Sequence, residues 1–257
     1  MKKDLSLFFV LILIINVVFL QPALADEFIV DSPTPTPYEN VFIDLHSSFS
    51  QTKRKTDMNT PALESYVGVY PEYSIQLVVP ASLAKPKKKP AEYGYGDVRL
   101  GIKHRFIQET KWRPQAAFYP KFTFPSGDPE RGIGNRTWTG TIPFWMQKNW
   151  DALKVTTGGG YGLNPARDKF NFLFGGILLQ YQFTKSLMLG NEIVVQEPRS
   201  VTDGSEVIYN FGGSYNFTPN SYVLFSTGHT IHGQRRLIAF LGFGVNWGPL
   251  KPPCPQP

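Results

Sequence analysis

The sequence has little cysteine and little histidine. The single cysteine, Cys254, excludes an intrachain disulfide and any metal site built from several cysteines. Of the four histidines, only His229 and His232 lie close together, and no carboxylate accompanies them in the sequence. Two histidines alone make a poor metal site, so we expect a solvated loop there. The sequence therefore predicts neither a metal ion nor any other cofactor.

Long apolar runs are missing after the first 25 residues. Two lysines precede an apolar stretch from Leu5 to Leu20, and Ala23 and Ala25 supply the small residues of a cleavage site. This pattern predicts a signal peptide over residues 1–25, whereas an uncleaved anchor fits less well because the run is short. No later segment reaches the ~18 to 20 apolar residues of a spanning helix. An exported chain of this kind can span a membrane only as a closed β-barrel.

No helical period of 3.6 residues persists over three turns in the rest of the chain, and 23 glycines and 22 prolines supply many turns. This composition predicts an all-β protein. The formal net charge is +6, and much of the excess lies in the run from Lys85 to Pro90. In the absence of a nucleic-acid-binding motif, we expect a solvated loop in contact with anionic surface groups there, and no nucleic-acid partner.

Alternation of polar and apolar residues is clearest between Gly96 and Phe106. Because side chains alternate between the faces of a strand, one face is charged and the other is apolar. The charged face carries Asp97, Arg99, Lys103 and Arg105. The same alternation recurs over twelve predicted strands, approximately 40–51, 61–70, 73–80, 95–106, 113–124, 137–147, 153–162, 170–182, 187–196, 205–217, 221–229 and 235–247.

A soluble barrel turns its apolar faces inward, whereas a transmembrane barrel turns them outward and keeps a polar lumen. The connections here alternate between short turns and longer polar loops, as in outer-membrane barrels. Four tryptophans near the short-turn ends favour an aromatic girdle, namely Trp112, Trp145, Trp150 and Trp247. We therefore expect one up-and-down antiparallel transmembrane β-barrel of about 12 strands over residues 40–247. A flexible Pro-rich lead-in precedes it over 26–39, and a Pro-rich tail follows over 248–257.

Four stretches of the sequence resemble a known family. They are Leu63–Pro80, Tyr93–Phe106, Phe124–Asp128 with Gly132–Gly134, and Pro143–Trp150. Together they are similar to the outer-membrane transporter family described as "MetA-pathway of phenol degradation", over about residues 40–247. The Gly-Asp-x-x-Leu-Gly-x-Lys-x-Arg-Phe run is the most specific piece. The resemblance implies an outer-membrane β-barrel and carries over no functional residues. The tail is a departure, because it leaves the assembly signal at Ala239–Trp247 internal.

Polar residues on the strand faces are the candidates for lining a lumen, where they would set charge and selectivity. Basic residues slightly outnumber acidic ones among them, which favours anionic or neutral polar permeants. The alternative is that they pair across strands and fill the barrel, since ~8-stranded barrels are filled and 16-stranded ones conduct. The pore-lining candidates are Glu64, Gln76, Asp97, Arg99, Lys103, Arg105, Tyr119, Lys121, Glu192 and Asn210.

His46 and Ser48 share a strand face in the spacing that outer-membrane phospholipase A uses. A serine nucleophile needs an adjacent base and a third group that orients the base. The sequence names no third group, so we expect ordinary polar strand residues and no enzyme.

The sequence thus predicts a bacterial outer-membrane channel that passes small polar or aromatic solutes passively. Its partners would be outer-membrane lipids, the barrel-assembly machinery and a small-molecule permeant. The alternatives are, in order, a filled structural or adhesion barrel of the envelope, an outer-membrane lipid hydrolase, and a soluble secreted barrel that binds an apolar ligand.

Overall fold

A computed structural model describes residues 28–248, so the predicted signal peptide and the tail with Cys254 lie outside the described residues. The described part contains no helix long and apolar enough to cross a membrane. Its strands are β1 (Val41–Thr52), β2 (Lys55–Tyr70), β3 (Tyr73–Pro86), β4 (Glu92–Tyr95), β5 (Val98–Ile107), β6 (Gln115–Phe118), β7 (Lys121–Phe124), β8 (Thr139–Trp150), β9 (Leu153–Leu163), β10 (Phe172–Gln182), β11 (Leu187–Gln196), β12 (Glu206–Thr218), β13 (Ser221–His232) and β14 (Arg236–Trp247).

The strands form one antiparallel sheet that closes on itself, because β1 pairs with β14 along its whole length. β4 and β5 both pair with β3 and act as one barrel strand. β6 and β7 likewise share the partners β5 and β8, and the break between them falls at Pro120, which has no N–H for the ladder. The predicted twelve-stranded up-and-down barrel is therefore confirmed, with two of its strands interrupted.

Burial in this barrel is the reverse of that in a soluble protein. Leu241 on β14 points outward and is 61% exposed, whereas Lys103 on β5 points inward and is 2% exposed. The same alternation holds for Leu77, which is exposed, and its neighbour Gln76, which is buried. An apolar exterior around a polar interior is the arrangement of a transmembrane barrel. A soluble barrel requires the opposite arrangement and does not fit.

Short turns lie at the end of the barrel where β1 begins and β14 ends, and the opposite, outer end carries the loops. Two of these loops are shorter than predicted, because β2 already begins at Lys55 and β3 continues to Pro86. Both strands exceed the ~9 to 11 residues that cross a bilayer. Beyond the lipid both strand faces meet water, so the alternation on which the prediction relied disappears there.

The predicted tryptophan girdle is wrong for one residue. Trp112, Trp150 and Trp247 are exposed at the short-turn end. Trp145 instead points into the barrel, is 1% exposed, and donates a 3.2 Å hydrogen bond from Nε1 to Asp31 Oδ2. It packs there in a cluster of buried apolar side chains that includes Leu178 and Val194, which is why a large aromatic residue can occupy an inward position.

Residues 28–37, which we call the inner segment, lie inside the barrel and not outside it. Phe28 and Val30 are buried and pack in a cluster with Trp145 and Leu178 of the wall. The sequence predicts this stretch to be a flexible lead-in, and the buried placement differs from that prediction. It also explains why β10 is apolar on both faces, since Leu178 faces the inner segment.

Candidate functional site in the barrel lumen

A cavity of about 750 Å³ occupies the part of the lumen nearer the outer loops. The inner segment forms its floor with Phe28, Ile29 and Asp31. Its walls mix aromatic rings, such as Phe174 and Phe240, with polar and charged side chains. A site of this composition suits a small solute that has both an apolar face and polar groups.

Glu192 on β11 is the main anchor of the inner segment. Its buried carboxylate accepts hydrogen bonds from the backbone N–H groups of Ile29 at 2.9 Å and Val30 at 2.8 Å. The side-chain amide of Asn210 on β12 donates a third, at 2.9 Å. Hydrogen bonds to a charged acceptor are stronger than neutral ones, so these contacts fix the segment halfway up the barrel.

A second anchor is the Asp31 carboxylate. It forms an ion pair with Lys121 on β7 and accepts the hydrogen bond from Trp145 on β8. Nearer the short-turn end, Gln115 donates a 3.0 Å hydrogen bond to the Thr34 hydroxyl. The inner segment is thus tied to the wall at several heights by polar contacts.

The wall also provides space for the inner segment. A Cβ atom at Gly176 would lie 2.7 Å from Val30 Cγ2, and one at Gly68 would collide with the Pro37 carbonyl oxygen. Both positions therefore require a residue without a side chain while the segment is in place.

The ten sequence-predicted pore-lining residues all project toward the interior, but they do not share one role. Of them, Glu64, Gln76, Asp97, Arg99 and Lys121 line the cavity. Lys103 and Lys121 lie on the Tyr119 ring, with their Nζ atoms 4.3 and 4.4 Å from its centroid. Glu192 and Asn210 hold the inner segment. Arg105 lies near the short-turn end.

Arg105 is engaged by residues that the sequence analysis missed. It forms an ion pair with Glu72, in the turn between β2 and β3, and donates a 2.9 Å hydrogen bond to Gln115. Partial burial opposes ionisation of Glu72, but the hydrogen bonds and charge of Arg105 hold the pKa of Glu72 below its ordinary value of 4.5. This ion pair joins the β2–β3 turn to β5 at the short-turn end of the barrel.

Asp97 controls the longest outer loop, residues 125–138. One carboxylate oxygen accepts a 2.9 Å hydrogen bond from Gly127 N–H, and the other accepts 2.7 Å hydrogen bonds from the backbone and side-chain amides of Asn135. The loop contributes Gly132, Ile133, Gly134 and Asn135 to the cavity wall. Asp97 therefore positions a part of the outer mouth and is not a free charge in the lumen.

His46 has a carboxylate partner that the sequence did not identify. Its Nδ1 lies 3.3 Å from Glu64 Oε2, and its ring lies 4.9 Å from that of Phe240. Ser48 lines the cavity, but within residues 28–248 no hydrogen bond joins it to His46. A serine nucleophile needs that bond to its base.

In the described residues, no group of three or more histidine, cysteine or acidic residues could hold a metal ion.

A signal for the inner segment is present in the sequence. Phe28, Ile29 and Val30 form a short apolar run just before the prolines. A flexible, solvated lead-in has no need of such a run, whereas a segment that packs inside a barrel does.

Solved structures with the same fold are outer-membrane barrels. An outer membrane channel from Pseudomonas putida F1 superposes with a TM-score of 0.73 at 11% identity, covering 87% of this chain and 100% of that one. The NanC porin gives a TM-score of 0.58 at 7% identity, covering 79% and 98%. The translocator domain of the autotransporter NalP from Neisseria meningitidis gives 0.55 at 8% identity, covering 80% and 88%. At these identities the likeness establishes the fold alone.

At the level of sequence, no curated protein matches the chain significantly. One family does match, and it covers nearly all of the barrel. Residues 40–247 match the family described as "Putative MetA-pathway of phenol degradation", so the chain belongs to that family, as its motifs predict.

Proposed function

We propose that the protein is a passive outer-membrane channel for small solutes that carry both aromatic and polar groups. The observation that carries this proposal is the cavity of about 750 Å³, which extends from the outer loops to the inner segment within a closed transmembrane barrel. Barrels of similar fold include an outer membrane channel and a porin, which supports the same class of function.

The composition of the cavity supports the solute class. Phe174 and Phe240 offer aromatic faces on which a flat solute can stack, and Arg99 places a cation in the same wall. A solute that is neutral or anionic and partly aromatic would use both kinds of contact. A strongly hydrophilic solute would gain little from the aromatic part of the wall.

The inner segment sets the condition for passage. Because residues 28–37 occupy the lumen below the cavity, a solute crosses only beside the segment or after the segment shifts. The segment is held by hydrogen bonds, one ion pair and the apolar packing of Phe28 and Val30. Water can replace the polar contacts when they break. The inner segment therefore limits flux by either route.

A filled structural barrel is the second candidate, and the same inner segment is the observation that favours it. Ion pairs such as Lys121–Asp31 and Arg105–Glu72 would then serve stability alone. An outer-membrane lipid hydrolase is disfavoured, because His46 and Ser48 face the lumen and are not hydrogen bonded to each other.

Conductance separates these functions. Purified protein in planar bilayers, and uptake of labelled aromatic acids into liposomes, should show solute passage, with a large increase when residues 28–37 are deleted. Correct insertion with no conductance and no uptake in either protein would refute the channel.

In cells, we expect contact with outer-membrane lipids and insertion by the barrel-assembly machinery through Ala239–Trp247.

A further inference from the structure

Two neighbouring outer loops carry a dense group of exposed cations, which we call the basic rim. The turn between β1 and β2 is bonded to the β3–β4 loop, because the Lys87 N–H donates a 2.9 Å hydrogen bond to the Arg54 carbonyl. Pro86 and Pro90 flank the lysines of the second loop and restrict its backbone. The basic rim consists of Lys53, Arg54, Lys55, Lys85, Lys87, Lys88 and Lys89, all exposed.

Acidic partners are scarce at the basic rim. Within residues 28–248, Lys55 is its one member with an ion pair, to Asp57 at 2.8 Å. Two other exposed cations at the outer end do have acidic partners, Arg131 with Glu92 at 3.0 Å and Arg136 with Glu130 at 2.7 Å. Like charges held this close repel one another, so the rim is arranged for an anionic partner that lies outside the chain.

The placement of the rim side chains relative to the cavity argues against a role in guiding solutes into the lumen. Among its seven members only Lys55 lines the cavity, and that residue is paired with Asp57. Lys85 lies on the outward face of β3, the same face that carries Tyr73 and Leu77. Lys85 therefore presents its positive charge toward the membrane side of the barrel.

The height of the rim matches the lipid headgroups. At about 3.4 Å per residue and a tilt of about 45°, Lys85 lies roughly 29 Å above Tyr73 along the membrane normal. The apolar band of an outer-membrane barrel is ~25 Å tall. Tyr73 stands at the short-turn end of that band, so Lys85 and the lysines after it lie just beyond its outer edge.

We propose that the basic rim binds the phosphate groups of the phosphorylated glycolipid in the outer leaflet. Lysine ammonium groups form short, charge-assisted hydrogen bonds with phosphate oxygens. Several lysines next to an anionic lipid surface act together, as polybasic segments do at other membranes. The inference rests on the outer-membrane placement proposed above, but it does not require the lumen to conduct.

The test compares two triple variants of the full chain that lose the same charge. Lys87→Gln with Lys88→Gln and Lys89→Gln neutralises the rim. Arg167→Gln with Lys169→Gln and Arg235→Gln neutralises three exposed cations on other outer loops. Native mass spectrometry would measure retention of purified phosphorylated lipid A and of the same lipid after enzymatic dephosphorylation, and bilayer conductance would be recorded separately.

Wild type and the second triple variant should retain phosphorylated lipid A. The rim variant should retain less of it, by a factor of about ten or more. None of the three should retain the dephosphorylated lipid, and added salt should weaken binding. Equal retention by the two triple variants would overturn the proposal. Unchanged lipid retention with slower uptake of anionic solutes by the rim variant would overturn it as well, since the rim would then guide permeants. Absence of conductance in all proteins would count against the channel and not against the rim.

Discussion

The backbone N–H of Val30 donates a 2.8 Å hydrogen bond to the carboxylate of Glu192, which is 1% exposed in the middle of β11. A buried carboxylate needs such donors, because an unsatisfied charge in a low-dielectric interior is costly. The wall and the inner segment therefore stabilise each other, and Glu192 is the residue through which the occupancy of the lumen can be changed.

Replacing Glu192 with glutamine should release the inner segment. Glu192→Gln removes the charge and turns one acceptor into a donor that faces the segment N–H groups. Loss of a hydrogen bond to a charged group is worth ~1.5 to 3 kcal/mol, so the population of the released state should rise about tenfold or more. Single-channel recording should show a higher open probability.

Glu64→Gln is the matched control, because Glu64 is also a lumen glutamate but contacts His46 and Gln76 and not the inner segment. Its open probability should stay close to wild type. An equal rise in both variants would mean that lost lumen charge, and not release of the segment, causes the effect.

Charge reversal at Arg99 should change ion selectivity. Arg99 lines the cavity, and in the described residues no carboxylate forms an ion pair with its guanidinium. Arg99→Glu alters the wall by two charges in a confined, weakly screened space, so the preference for anions should fall or reverse. Reversal potentials under a salt gradient measure this. Arg113→Glu, in an exposed turn outside the cavity, should leave the reversal potential nearly unchanged.

Loss of the Asp97 carboxylate should loosen the outer mouth. Asp97→Ala removes three hydrogen bonds to Gly127 and Asn135, so amide exchange in residues 125–138 should become about tenfold faster or more. Uptake of bulkier solutes should rise with it. Asp128→Ala is the control, since Asp128 caps a turn within the loop and does not hold the loop to the barrel. Similar exchange in the two variants would refute the positioning role of Asp97.

Alternation of residues along the strands predicted much of the fold. It placed the apolar strand faces outside and the ten candidate residues inside, because the period of two depends only on local sequence. The contacts of the inner segment could not be predicted in the same way. Asp31 and Lys121 are 90 residues apart in sequence, and they meet only because the chain enters its own lumen. The assignment of Trp145 to the aromatic girdle was wrong for the same reason, because its inward position depends on packing against Phe28 and Val30 of the inner segment.

The ion pair of Glu72 with Arg105 should make stability depend on pH in the acid range. The pKa of Glu72 is lowered in the folded state, so its contribution is complete above the ordinary value of 4.5 and is lost as the pH falls through the lowered pKa. The difference in unfolding midpoint between wild type and Glu72→Gln should therefore be largest at neutral pH and shrink below pH 4.5. Asp151→Asn, in the β8–β9 turn, controls for loss of any turn carboxylate. A difference that persists at low pH would contradict the assignment.

The assignment of outward and inward faces can be tested by placing a single arginine on either face at the same height in the barrel. Leu241 on β14 points outward opposite Ser47, and Ser48 of β1 points into the cavity opposite Phe240. An arginine near the middle of the bilayer costs ~2 to 4 kcal/mol on the lipid face, whereas lumen positions mainly tune selectivity. Leu241→Arg should therefore lower the free energy of unfolding in lipid vesicles by roughly that amount. Ser48→Arg should change it far less, because its guanidinium reaches the water of the cavity. Urea titration followed by tryptophan fluorescence and by heat-modifiable mobility on gels measures both variants, and equal destabilisation would contradict the assigned faces.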